Sequence, residues 1–219
     1  MDGAGTTPGP QTRQARPSGP RSRPGQGTAK QVQEGVRKAA RALDDAGYAV
    51  DKVEPPSIGA AAKTLLDMLC PDLRAAWQFI SPPMPPDTKR FLSAPLEVGG
   101  DPEPVTAMQS FMIRQSLLRA WGEFQEKYPL IVAPIFTDIP FEAGKDLTTA
   151  EVAAIVHGMR MTLAVSALGL PALALPVGIG DGLPQSVQVI GPRYREDLCL
   201  DAAAALEDRV GIITPIDPR

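Results

Sequence analysis

The closely spaced glycines of GIGDGLPQ, residues 178–185, are the first place in this chain to look for chemistry. Such glycines let backbone amides approach an anion, and a dinucleotide fingerprint needs G-x-G-x-x-G opening a helix whose first amides face a pyrophosphate. Gly178, Gly180 and Gly182 have another spacing, and the following SVQVIG reads as a strand. The next helix begins near Arg195, where Glu196 and Asp197 suit a helix N-terminus and would repel a phosphate. The glycines therefore serve backbone geometry, with Asp181-Gly182 as the turn dipeptide of a tight hairpin. His157 is the single histidine and has no nearby acid or cysteine, so neither a metal site nor a Ser/His/Asp triad is indicated. Cys70 and Cys199 are far apart and form no CxxC pair, which excludes a disulfide framework and a zinc site and suits a reduced, cytoplasmic setting. None of Ser57, Ser81, Ser93, Ser110, Ser116, Ser166 or Ser186 lies in a glycine-rich turn or a G-x-S-x-G elbow. No catalytic residue, metal or cofactor is expected from this inventory.

The elements that must position any site follow from the periodicity of apolar residues. TAKQVQEGVRKAARALDDAG, residues 28–47, puts Val32, Val36, Ala39, Ala40 and Leu43 on one helical stripe, with Gly47 as a stop. YAVDKVEPP predicts a short strand, and Ser57 is placed to cap a second helix carrying Ile58, Ala62, Leu65, Leu66 and Leu69 that Pro71 closes. The segment at about 81–104 is a Pro/Gly-rich connection, expected to be a lid or a boundary. A long helix from about Val105 to Tyr128 presents Met108, Phe111, Met112, Leu118 and Trp121 as a face expected in the core. Leu130 to Val132 form a buried strand that Pro134 ends. TTAEVAAIVHGMRMTLAVSALGLP predicts one helix, opened by Thr148 with Glu151 three residues on and closed by Gly169 and Pro171. ALALPV and SVQVIG then form the hairpin, and Arg193, Arg195 and Glu196 fix the corner into the last helix by capping and ion pairing.

With 219 residues, of which 43% are hydrophobic and 21% charged, the chain can bury one sizeable core. A formal charge of -3 argues against nucleic acid as a partner, because neutralising phosphates needs a concentrated Lys/Arg surface. No apolar run approaches the roughly 18 residues that span a bilayer, so no membrane partner is expected. Residues 1–27 are built from Gly, Pro, Arg, Ser, Thr and Gln and read as a disordered tail.

Three separated blocks, in order, resemble the amidase signature family: VRKAARALDDAGYAVDKVEPPSI, YPLIVAPIFTDIPF and LGLPALALPVGIGDGLPQSVQVIGPRYREDLCLDAAAALE. Together they cover about residues 28–206. The resemblance implies an α/β class, the C-terminal part of an α/β/α fold around a mixed sheet, and a hydrolase that cleaves carboxamide C–N bonds through a Ser, cis-Ser, Lys triad. In that chemistry a neutral lysine accepts a proton through the middle serine while the second serine attacks, and glycine-rich backbone amides hold the oxyanion. It also implies an acyl pocket lined by Pro134, Ile135 and Phe136 after the buried strand, with Met161 and Leu168 before the hairpin.

Two departures qualify the match. Family members often carry an asparagine before the Leu-Gly-Leu-Pro block, where this chain has Val165 and Ser166, and no Gly-Gly-Ser-Ser-Gly-Gly-like loop is present. Three readings follow. The chain is the C-terminal part of an amidase, left by truncation, a frameshift or a misplaced start, and inactive alone; or it is one chain of a two-chain amidase whose partner supplies the catalytic half; or it is a non-catalytic interaction protein. In the first two, a small amide is a substrate only after complementation, and unpaired sheet edges favour self-association.

Overall fold

The computed structural model of the chain describes residues 14–15, 28–98, 107–142, 144, 146, 148–180, 182–211 and 213. Its centre is β3 (Leu130–Pro134), buried at every position, as expected of an apolar run covered on both faces. On one side β3 pairs in parallel with β1 (Gln14–Ala15), which pairs in parallel with β2 (Val50–Asp51). On the other it pairs antiparallel with β5 (Leu183–Ile190), and β4 (Ala172–Gly180) lies antiparallel beyond that. The order β2-β1-β3-β5-β4 is a mixed sheet. Of the tail expected over residues 1–27, only Gln14 and Ala15 lie among the described residues. These two residues pair as β1 along the edge of β3.

Strand alternation assigns the two faces. Leu130 and Val132 of β3, with Val187 and Val189 of β5 and Leu175 and Val177 of β4, face α1 (Lys30–Asp45) and α7 (Glu196–Val210), which contribute Val36, Ala39, Leu43, Ala202 and Leu206. Ile131 and Ala133, one residue out of phase, face α2 (Ile58–Ile80), α4 (Ala107–Lys127) and α6 (Arg160–Leu168), which contribute Ala61, Trp121, Ala164 and Leu168. Helices on both faces of the sheet give the α/β/α layering. No single helix among the described residues is long and apolar enough to cross a membrane.

Several elements differ from their sequence expectation. Ser57 sits at the N-cap of α2 but with φ 50, and its side chain makes no cap hydrogen bond. α2 also continues through Pro71, at an exposed position, to Ile80. Within the supposed connection at 81–104, α3 (Pro86–Val98) is helical, with Pro86 at its first position and Asp87 in its first turn. Residues 99–104 lie outside the described set. Arg74 donates to the Leu96 carbonyl and ties α3 to α2. On α4 the buried apolar positions are Leu117 and Trp121, whereas Met108 (67% exposed), Phe111 and Met112 (62%) face outward. The stripe expected in the core is thus divided, because only its C-terminal part meets α2 and the sheet.

The long helix expected from Thr148 to Gly169 is two helices. α5 (Thr149–Gly158) and α6 meet at Met159 with a bend of 63°. The break falls beside Gly158, against which the Phe136 ring packs. Both ends are otherwise as the sequence dictates. Gly169 adopts φ 63 and closes α6, with its amide donating to Ser166 O and that of Leu170 to Val165 O. At the start of α5, the Thr148 hydroxyl accepts from the Glu151 amide at 3.3 Å and donates to Glu151 Oε2 at 2.7 Å. Thr148→Ala is expected to lower stability by about 1 kcal/mol, measured by urea denaturation, and Thr148→Ser to restore it.

Candidate functional site

Beyond β3 the chain crosses the end of the sheet through residues 135–141, and this crossing makes the molecule's candidate site. A cavity of about 290 Å³ opens there. Its apolar lining includes Val32 of α1, Phe136, Ile139 and Phe141 of the crossing, and Leu183 of the β4–β5 hairpin; Asp138 and Gln185 bring polar groups to it. The hairpin tip is tied to α1 by Gln185 Nε2, which donates to the Gln31 carbonyl at 3.1 Å. Phe136 and Phe141 meet edge to face with centroids 6.2 Å apart. Asp138 accepts from the Ile139 amide at 2.8 Å and turns the backbone locally. An apolar pocket with a few polar groups suits a small, largely uncharged ligand.

The crossing is held by unusually complete hydrogen bonding. Gln188 Nε2 donates to Pro134 O at 2.8 Å, Thr162 Oγ1 to Ile135 O at 2.8 Å, the Thr137 amide to Gly158 O at 3.2 Å, and the Ala29 amide to Thr137 O at 2.8 Å. Gln188 is buried within the sheet and also reaches Thr162 Oγ1 at 3.3 Å. At Gly158 a Cβ would stand 2.9 Å from Phe136 Cδ2 and closer still to Cε2, so a side chain there displaces the ring.

The structure divides the five residues expected to line an acyl pocket. Phe136 lines the cavity. Pro134 and Ile135 are not among its lining residues; their carbonyls are fixed by Gln188 and Thr162. Met161 and Leu168 are buried among Trp121, Ile131 and Ile190, under the sheet rather than on the cavity wall. Sequence reasoning missed Val32, Phe141 and Leu183, which come from three separate segments; the Phe136 to Phe141 spacing was the one local signal available. It also missed Thr162 and Gln188, although a glutamine inside the apolar run VQVI is itself a sign of a buried polar partner.

The remaining candidates have structural settings. His157 is an exposed residue of α5, with its pKa lowered by burial and then by Arg160. Among the described residues no group of three His, Cys, Asp or Glu side chains could hold a metal. At the corner before α7, Arg195 pairs with Asp197 at 2.8 Å rather than with Glu196, and the Arg193 guanidinium stands over the Tyr194 ring. Ser93 and Ser116 donate to the helix carbonyls of Arg90 and Met112, and Ser186 lies on the cavity wall.

Both cysteines are free and buried. Burial, reinforced by Glu196 and Asp197, pushes the Cys199 thiol up to about 11 from its ordinary 9.0. Between those values the unfolded thiol releases its proton while the folded one keeps it, so the stability present below pH 9 declines as pH rises towards 11. By pH 10.5 the loss is on the order of 2 kcal/mol. Urea denaturation at pH 8 and pH 10.5 should show it, and Cys199→Ala should remove that part of the pH dependence.

The family model described as Amidase matches residues 11–200. It begins earlier than the block at residue 28 and takes in part of the Arg/Pro-rich segment. Indoleacetamide hydrolase of Bradyrhizobium diazoefficiens is 33% identical over 181 residues, covering 81% of this chain and 34% of that protein. A glutamyl-tRNA(Gln) amidotransferase subunit of Streptococcus equi subsp. zooepidemicus is 34% identical over 95 residues, 43% of this chain and 19% of that one. Among solved structures, allophanate hydrolase of Kluyveromyces lactis superposes with a TM-score of 0.71 at 18% identity, over 91% of this chain and 32% of that one. The chain thus spans about a third of the length of the Bradyrhizobium hydrolase. A match over most of the chain, on the α/β/α frame and order of elements described above, places it by descent: the chain belongs to the amidase signature family.

Proposed function

We propose that this chain is the C-terminal part of an amidase-family hydrolase, that it supplies sheet strands and the apolar wall of an acyl pocket, and that it does not hydrolyse amides alone. The observation that carries this reading is the partial match: 81% of the chain aligns with only 34% of an indoleacetamide hydrolase. The lack of a glycine-rich serine loop in the sequence supports it, since a serine nucleophile needs an adjacent base and oxyanion donors. The substrate class is a small primary carboxamide with an aryl or other apolar acyl group. Phe136, Val32, Ile139, Phe141 and Leu183 offer it a wall, with Met161 and Leu168 supporting the frame from below.

This reading requires a Ser, cis-Ser, Lys half, whether in the same protein or on a second chain. Likeness to a protein named as one component of an amidotransferase supports the two-chain form of it. The buried free cysteines suit a reducing, cytoplasmic setting. Treated with a fluorophosphonate that labels activated serines, the chain alone should remain unlabelled and should release no ammonia from indole-3-acetamide. A labelled serine with accompanying ammonia release would overturn the proposal.

A further inference from the structure

We propose that Gln188 and Thr162 are positioning residues for the Phe136 wall: by holding the carbonyls of Pro134 and Ile135 they set where the Phe136 ring stands. The value of that position for a ligand rests on the pocket reading above; the clamp itself rests on geometry alone.

Gln188 is 4% exposed on β5, between Val187 and Val189, where a carboxamide is tolerated only if its polar atoms are matched. Its donors reach Pro134 O and Thr162 Oγ1. A threonine hydroxyl has one proton to give and lone pairs to receive with. Here the proton goes to Ile135 O, so the hydroxyl accepts from Gln188 and the relay Gln188 to Thr162 to Ile135 has a consistent direction. Two residues further on, Thr137 is fixed at both its amide and its carbonyl by Gly158 and Ala29. Phe136 thus lies between anchored neighbours, with its ring set against the bare Cα of Gly158. From that seat it closes the cavity with Phe141. Side-chain clamps on consecutive carbonyls, one from buried Gln188 and one from half-buried Thr162, exceed what ending a strand at a proline requires, and they come from two elements, β5 and α6, that frame the crossing.

The test labels the chain's six phenylalanines as 4-fluorophenylalanine, assigns Phe136 by Phe136→Leu, and follows its fluorine resonance with and without indole as probe. Thr162→Val, which keeps shape but loses the hydroxyl, is expected to move or split the Phe136 resonance and to weaken indole binding about tenfold. Thr162→Ser should restore both. Gln188→Glu, whose carboxylate cannot donate, should act as Thr162→Val does, and it decides the matter if Thr162→Val does not fold. A Phe136 resonance unmoved in folded Thr162→Val and Gln188→Glu, or failure of serine to restore it, overturns the clamp. If indole binds parent and variants alike and the resonance is unmoved, the clamp falls and the pocket stands. If the resonance responds but indole never binds, the clamp stands and the pocket reading falls.

Discussion

Trp121→Ala should destabilise the chain by about 3–5 kcal/mol, a large share of the roughly 5–15 kcal/mol that holds a typical domain together. Trp121 is fully buried on α4, among Ala61, Leu117, Ile131 and Leu168, so it joins α2, α6 and the sheet in one cluster. Its indole Nε1 donates to Pro56 O at 2.8 Å, across 65 residues of sequence. Alanine removes the apolar bulk, leaves a cavity where three elements meet, and orphans the Pro56 carbonyl at the turn that starts α2. Trp121→Phe retains most of the bulk and should cost roughly 1–2 kcal/mol, mainly from the lost hydrogen bond. The two variants separate packing from polar satisfaction. Circular dichroism against urea is the suitable measurement, since fluorescence would lose one of the chain's two tryptophans. Equal midpoints for parent and Trp121→Ala would contradict this account of the core.

Alone in solution, the chain should associate at micromolar concentration. Met108, Phe111 and Met112 stand exposed on α4, and Phe79 on α2 is 75% exposed. β4 has one hydrogen-bonded neighbour among the described strands, and its other edge offers unpaired backbone groups. Exposed apolar area together with an open edge favours contact with another protein surface, whether a partner or a second copy. Sedimentation velocity of the parent should show concentration-dependent species, and Phe111→Lys with Met112→Glu should shift them towards monomer. A monomeric parent with one cooperative thermal transition would count against a chain that lacks part of its fold.

Much of this architecture is readable in the amino-acid order, where local chemistry and burial agree. The antiparallel β4–β5 pair follows from two alternating apolar runs joined by a short glycine-containing turn, of which Asp181 lies outside the described residues, and the left-handed Gly169 marks the end of α6 as its sequence position suggests. Where tertiary contact decides, the sequence misleads. The apolar pattern does not mark the bend at Met159; the break falls beside Gly158, where the Phe136 ring leaves no room for a Cβ. Pro71 would ordinarily end a helix through its missing amide and its ring, yet α2 carries it at an exposed interior position. The stripe of α4 has helical period along its length, but period alone does not tell which part meets another surface. The site shows the same limit: Phe136 is accessible from the motif around it, whereas Val32, Leu183 and the Gln188–Thr162 clamp are assembled only by folding.

The central claim is that this chain provides the pocket side of an amide hydrolase and needs the catalytic half from elsewhere. Its most direct test combines the purified chain with the part of the Bradyrhizobium diazoefficiens indoleacetamide hydrolase that it does not match, and follows ammonia release from indole-3-acetamide. Neither component alone should release ammonia; the mixture should, and Phe136→Asp should abolish the gain by placing a charge on the apolar wall. Ammonia release by the chain alone, or none from a mixture shown to associate, would contradict it.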